Sequence, residues 1–396
     1  MNRRLENVTC CGCGLLCDDI LLEISPQEIS TSNACSCGQK FLATLVENSS
    51  NSATANPDQD LKTARQWLKA ANSPMMCGLQ GLSLEMQTDC IRFAQSEQMV
   101  LSTGKDTEST LAYQKYGGSG CSFGELRHRC DLLICFNFNP FSQWPRFSER
   151  FLEPKGQFIT SRNDRTVFYV GTSENLGSSE NFDEVILLDD KSLLESLVQI
   201  RKNLQRDDDR GTSSELQTLC QIFGEQTANS QYPILLQGSA EFGVATQLTQ
   251  LLMEINKTAR LHRIAAGSGI HSGSPQETIL AMTGYPDHIS FRNDGMDYDP
   301  QRYNAKRLIT REEVDCVVVI GETDLEDLLQ TSSARIIRMT NSQKIPSRTS
   351  DRLIELRWNQ FAGTHLRCDG VPIPVKEFAE ESASTPLRSL FQLLMS

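Results

Sequence analysis

The sequence predicts an α/β protein, with a small Cys-rich N-terminal module followed by two three-layer α/β domains. Three observations carry this reading. Short apolar runs alternate with longer segments of helical period, polar breaks interrupt the alternation, and six of the fourteen cysteines fall within the first 37 residues.

From Thr9 to Gly38 the chain is rich in Cys and Gly and too poor in apolar periodicity to bury a core alone, the usual condition of a metal-stapled module. We assign this module to residues 1–52, with the polar run Glu47 to Asp60 as its linker. A first α/β region, 53–205, then opens with a helical segment at Ala64 to Ala71, a strand at Met75 to Gly78, a helix at Leu84 to Ser96 and a strand at Met99 to Leu101. Leu132 to Phe136, Thr166 to Val170 and Val185 to Leu188 read as further buried strands. The polar run Gln205 to Ser214 precedes a second region, 206–396. It holds helices at Glu215 to Glu225 and Ala245 to Asn256, and strands at Ile234 to Gln237, Leu261 to Ile264, Cys316 to Ile320 and Arg335 to Met339. Such βα alternation implies parallel sheets covered by helices on both faces, in Rossmann-like layers.

The 38 basic and 50 acidic residues leave a net charge of −12, which disfavours a phosphate-backbone binder; no nucleic acid partner is expected. No apolar run approaches the roughly 18 residues of a membrane helix, so no membrane span is expected. Met1 to Asn7 carries two positive charges but runs into Cys and Gly rather than an apolar stretch, so no secretory signal is expected. The expected compartment is the cytoplasm, where thiols serve as metal ligands rather than disulfides.

Cys10, Cys13, Cys17 and Cys35 form the pattern C-x2-C-x3-C-x17-C, with Cys11 and Cys37 as spare thiols. Two intervening residues let two thiolates reach one centre from a single loop, and Gly12 and Gly14 permit the tight backbone. Three-plus-one spacing fits a four-iron four-sulfur cluster better than the paired knuckles of a zinc ribbon. A structural zinc site and an empty cluster are the alternatives.

These residues also resemble a known family. CCGCGLLCDDI (Cys10 to Ile20), followed by NAC at Asn33 to Cys35, is similar to the amino-terminal cluster segment of the B subunit of formylmethanofuran dehydrogenase. LAYQKYGGSGCSFGE (Leu111 to Glu125), LLICFNFNP with Asn139-Pro140, TGYP (Thr283 to Pro286) and GTHLRCDGVPIPVK (Gly363 to Lys376) resemble later segments of that subunit, in order. The resemblance implies the molybdopterin oxidoreductase superfamily, with an iron–sulfur domain followed by α/β domains interleaved in sequence; residues 300–396 would return to the first. It also implies partner subunits, in a formylmethanofuran dehydrogenase or formyltransferase/hydrolase complex acting on one-carbon units carried by methanofuran and tetrahydromethanopterin.

The chain departs from the redox-active pattern at the metal and its cofactor. The redox-active family members ligate tungsten or molybdenum through a Cys or selenocysteine just before the stretch corresponding to Leu111, where this chain has Lys105. A protonated Lys has no lone pair to offer. Asn137 replaces a Gly two residues before Asn139-Pro140, Gly171-Thr172-Ser173 replaces an Asp-Pro-Arg, and the loop Gly321 to Asp327 carries four carboxylates where a diphosphate would sit. A molybdenum or tungsten bis-pterin guanine dinucleotide is therefore expected to be absent. The pattern looks more like the B subunit of the bacterial formyltransferase/hydrolase complex, a non-redox scaffold whose partners produce formate.

No catalytic or cofactor-binding residue is assigned, and the metal ligands expected are Cys10, Cys13, Cys17 and Cys35. A redox-active alternative needs another ligand, and Ser102 and Cys121 are the candidates. A zinc-stabilised interaction module is the third reading. The glycine-rich stretch Gly267 to Gly273 with His271, and the group His365, Cys368 and Asp369, read as loop and structural residues. Asp207 to Asp209 reads as a solvated linker, and Cys77, Cys130, Cys135, Cys220 and Cys316 as buried thiols that pack like small hydrophobes.

Overall fold

The computed structural model describes residues 3–25, 29–50, 57–105, 107–206, 214–238, 243–266, 275–293, 295–321, 323–340, 351–358, 362–376 and 386–395. They form two compact units. The first comprises 1–107, 270–367 and 372–396, and the second 108–269 and 368–371.

In the first unit, β1 (Arg3–Cys10), β2 (Cys17–Ile24) and β3 (Ile29–Ser32) make an antiparallel sheet, and the helix Ser36–Ser50 follows. The module's small core joins Cys11 and Leu16 to Phe41, Leu45, Ile373 and Val375. Its apolar deficit is thus made up by the far end of the chain. After the helix Pro57–Lys69 come β4 (Pro74–Gly78), the helix Leu84–Ser96 and β5 (Val100–Leu101). Ser83 caps that helix by accepting from the Met86 amide at 3.3 Å.

The second unit holds β6 (Leu132–Phe136), β7 (Thr166–Gly171), β8 (Glu184–Leu187), β9 (Pro233–Gln237) and β10 (His262–Ala265) in one parallel sheet of order β10-β9-β6-β7-β8. The chain then returns to the first unit with β11 (Ile289–Ser290), β12 (Asp297–Tyr298), β13 (Cys316–Ile320), β14 (Arg335–Thr340) and β15 (Leu353–Arg357). They complete a seven-stranded sheet of order β12-β11-β5-β4-β13-β14-β15. The hairpin β16 (Gly363–Leu366) and β17 (Pro372–Val375) closes the series.

Both large sheets are buried layers. Every residue of β13 is fully buried, and each buried Val contributes roughly 1.5–3 kcal/mol relative to exposure. Successive residues face opposite ways: Val318 and Ile337 pack with the helices Pro57–Lys69, Leu84–Ser96 and Leu387–Met395, while Val317 and Val319 pack with Ala305–Thr310 and Glu326–Thr331. On one face of the second sheet, Ile134, Phe136, Phe168 and Leu235 meet the helices Asp190–Arg206 and Val244–Ile255.

The α/β architecture agrees with the sequence, but the boundary set at residue 205 does not divide the sheets. Strands β6 to β8 and strands β9 and β10, on either side of it, lie in one sheet. Nor is Glu47 to Asp60 a linker throughout: Ser36–Ser50 and Pro57–Lys69 are helical. Pro57 at the helix start, with Asp58 and Asp60 in the first turn, favours the second of these helices despite its polarity. Residues Asp207 to Asp209 and Gly267 to Gly273, including His271, lie outside the described residues. No helix among the described residues is long and apolar enough to cross a membrane.

Candidate functional site

The cysteine quartet is built on a hairpin. Cys10 ends β1, Cys17 begins β2, and the two face each other in register, so the loop between them must place Cys11 and Cys13 within one tight turn. Gly14 and Leu16 take positive φ there, at 84° and 50°. The amide of Gly12 donates to the Cys10 sulfur at 3.3 Å, and that of Gly38 to the Cys35 sulfur at 3.5 Å. A Cβ on Gly38 would lie 3.1 Å from the Cys10 sulfur and 3.9 Å from that of Cys35, so this glycine lets the fourth thiol approach the first.

Cys10, Cys13 and Cys17 are buried and Cys35 is half-buried. Burial pushes the Cys10 and Cys13 thiols up to about 12, and neighbouring cysteine charges, those of Cys17 and Cys35 among them, add to the rise. Two such thiols cannot ionise together without a cation beside them, and a bound metal centre would supply one. Among the described residues, no group of three or more His, Cys, Asp or Glu is drawn together tightly enough to hold a metal ion.

Lys105 follows β5, at the carboxyl end of the seven-stranded sheet, where ligands of open α/β sheets bind. Its ammonium pairs with the Asp324 carboxylate in the loop after β13. Both are partly exposed, so the pair is worth about 0–1 kcal/mol. Gly104, at φ 83°, lies against Leu325: a Cβ there would come within 2.9 Å of its side chain. The four-carboxylate reading of the loop Gly321 to Asp327 changes in detail. Asp324 is taken up by Lys105, Glu326 is held by both terminal nitrogens of Arg338 at 2.7 Å, and Glu322 lies outside the described residues. The neighbouring cations are thereby spent on the protein's own carboxylates.

Ser102, a candidate replacement ligand, is fully buried. Its hydroxyl pairs with His288 Nδ1 at 2.9 Å and accepts from the Ala305 amide at 3.1 Å. Beside it, Asp287 accepts from the Thr103 amide and hydroxyl and from the His288 amide. This is a closed set of internal hydrogen bonds. Cys121, the other candidate, belongs to the second unit, where it is buried and burial raises its thiol.

At the carboxyl end of the second sheet, backbone amides are taken up by the protein's own side chains. Asn137 follows β6 at φ 51°. Its Oδ1 accepts from the Thr172 amide, the Thr172 hydroxyl and the Asn175 amide group, each at 3.1 Å. Gly171 and Gly238 are both packed against Asn137, and a Cβ on Gly171 would lie 2.8 Å from its Cα. After β9, the helix Val244–Ile255 opens at Gly243, and Glu108 sits on that end. Both carboxylate oxygens accept from the Gly243 amide at 2.8 Å, and Oε1 accepts from the Thr246 amide at 3.2 Å and hydroxyl at 2.8 Å. An open helix N-terminus attracts phosphate; this one already holds a carboxylate. The residues present do not fit a pterin guanine dinucleotide.

The remaining candidates are structural. Asp369 accepts from the Phe123 amide at 2.7 Å, at the start of the helix Phe123–Arg129. His365 is buried in β16, in the first unit, while Cys368 falls in the second. Cys77, Cys130, Cys135 and Cys316 are buried as expected; Cys220 is only half-buried, and Asn203 Nδ2 lies 3.5 Å from its sulfur. Sequence reasoning missed Glu108, because its partners stand 135 and 138 residues away. The pairing of Ser102 with His288 was likewise invisible, although TGYP at Thr283 to Pro286 pointed to the neighbourhood.

No protein-family model matches the chain. It is 22% identical over 436 aligned positions to the B subunit of the tungsten-containing formylmethanofuran dehydrogenase 2 of Methanocaldococcus jannaschii, covering 100% of this chain and 98% of that protein. It is 20% identical over 406 positions to the corresponding protein of Methanococcus maripaludis, covering 94% and 93%. Among solved structures, it superposes on a chain of the formyltransferase/hydrolase complex (FhcABCD) from Methylorubrum extorquens, determined with methylofuran. The TM-score is 0.70 at 14% identity, over 86% of this chain and 96% of that one. The chain thus has the fold of that complex's chain and is similar from end to end to the B subunit of formylmethanofuran dehydrogenase.

Proposed function

We propose that the chain is a B-type subunit of a methanofuran-linked one-carbon complex, acting as a non-redox scaffold while partner subunits transfer the formyl group and release it as formate. The observation that carries this reading is the self-occupied crevice: Asn137 Oδ1 and the Glu108 carboxylate sit on donors that a dinucleotide's phosphates would need. Lys105, held by Asp324, supports it. The complex purified with its partners is expected to produce formate from formyl-tetrahydromethanopterin in the presence of methanofuran, without any electron acceptor. Formate production that stops unless an acceptor is supplied would contradict the proposal. The tungsten-containing relatives favour a second, redox-active reading, which requires a metal donor other than Lys105.

The N-terminal thiols fit a four-iron four-sulfur cluster held by Cys10, Cys13, Cys17 and Cys35, and the proposal includes it. The spacing, the mutually coupled charges and the amides aimed at two of the sulfurs support this. With all fourteen cysteines free, the chain suits a reducing compartment, and we place it in the cytoplasm. Anaerobically purified protein is expected to contain iron and acid-labile sulfide in equal amounts, and Cys17→Ser to lose most of both. Zinc at one per chain, with no iron, would overturn the cluster.

A further inference from the structure

The first unit also has a cavity of about 240 Å3, partly open to solvent, at the other end of the seven-stranded sheet. Arg292, on its wall, donates to the hydroxyl of Ser73, the residue immediately before β4, whereas Lys105 lies beyond the carboxyl end of β5. The cavity therefore lies at the opposite end of the sheet from Lys105. At about 30 Å3 per water it has room for roughly eight, too little for a dinucleotide and enough for a small organic anion.

Val100 and Leu308, both buried, supply the apolar part of its lining. Ser290 and Tyr303 add hydroxyl groups, and Arg292 and Arg302 add two guanidinium groups. Most of the lining is polar, which suits a charged ligand better than an apolar one. The protein does not neutralise these cations fully. Arg292 gives one hydrogen bond from its terminal nitrogen to Ser73 Oγ, at 2.7 Å, while its Nε is buried and donates to nothing. The carboxylate that faces the cavity, Glu313, is engaged instead by Arg307 at 2.9 Å, with Arg311 at 4.0 Å. Arg302 has Asp297 at 4.0 Å, a carboxylate that already accepts from the Tyr303 hydroxyl at 2.6 Å; Asp299 also lies near its charge, and its guanidinium is 5.3 Å from the Tyr303 ring centre.

A buried guanidinium donor without a partner is costly and rare. The planar fork of a guanidinium matches a carboxylate or a phosphate, which can accept from two of its nitrogens at once. We propose that this cavity binds a small oxyanion, through a phosphate or carboxylate head held by Arg292 and Arg302.

The test titrates the full chain with inorganic phosphate and, separately, with succinate, following the melting temperature and the heat of binding against potassium chloride at matched ionic strength. The expected result is a saturable rise in melting temperature with at least one of the two anions, and an affinity about tenfold or more lower in Arg292→Met. Arg302→Met, at an exposed position that leaves the fold intact, is expected to weaken binding as well, which keeps the test open should Arg292→Met fold poorly. A response to phosphate alone assigns a phosphate head, and a response to succinate alone assigns a carboxylate. No response beyond that of chloride, or equal affinity in wild type and Arg302→Met, would overturn the proposal.

Discussion

Arg165→Met is expected to destabilise the second unit by about 3–5 kcal/mol, the largest single effect we anticipate. Arg165 is almost wholly buried, yet its partners are backbone carbonyls rather than a carboxylate. Nε donates to Leu152 at 3.1 Å, one terminal nitrogen donates to Leu126 at 2.9 Å and Cys130 at 2.8 Å, and the other donates to Arg127 at 2.7 Å. Three of these carbonyls, those of Leu126, Arg127 and Cys130, lie in the last turn of the helix Phe123–Arg129 or at its C-cap, where carbonyls run short of helical donors. A cation at that end also offsets the helix dipole. Met fills the space but takes the side-chain donor away from four carbonyls, of which that of Leu126 keeps the Cys130 amide. For a unit of this size, the loss corresponds to a fall in melting temperature of roughly 10 °C. Arg165→Lys, with its compact ammonium, is expected to recover only part of it. A melting temperature for Arg165→Met close to wild type would show that these carbonyls find other partners.

Glu108→Ala ranks second, at about 2–4 kcal/mol. Its carboxylate satisfies the first amides of the helix Val244–Ile255 and the Thr246 hydroxyl from a segment 135 residues earlier in the chain, so it caps the helix and joins two distant parts of the second unit. Removing it uncovers those donors, and water repairs the loss only partly in a buried setting. Glu108→Gln keeps one acceptor oxygen and is expected to lose about half as much. Hydrogen exchange gives a local readout. The amides of Gly243 and Thr246 should exchange faster in Glu108→Ala, while those of β6 should change only in step with global stability. Unchanged exchange at Gly243 and Thr246 would contradict the capping role.

The parallel strands were legible because each is a short apolar run bounded by polar residues: Leu132 to Phe136 and Cys316 to Ile320 match their observed limits. The N-terminal strands were not. From Arg3 to Glu6 in β1, half-buried and exposed residues alternate with three charges among the four, and the strand is held by its register with β2 rather than by an apolar run. Two-residue strands such as β11 and β12 exist only because β5 offers an edge to pair with. Which sheet a strand joins was also hidden, since β13 pairs with β4 across more than 230 residues of intervening chain.

In the candidate site, spacing was enough to single out the cysteine quartet, and the change to Asn at 137 could be read directly as the loss of a close backbone approach. The structure adds what spacing cannot carry. Asn137 does more than crowd the turn: its Oδ1 takes the Thr172 amide that an anion would use. Glu108, Arg165 and Arg292 act through residues remote in sequence, and a single charged residue inside or beside a helix carries no local mark of a distant partner.

Quantification of tungsten, molybdenum and extractable pterin in the anaerobically purified complex probes the scaffold reading most directly. The occupied crevice predicts that neither metal and no pterin exceeds background, even when cells are supplied with tungstate and molybdate. Either metal at one per chain, accompanied by pterin in stoichiometric amount, would contradict it.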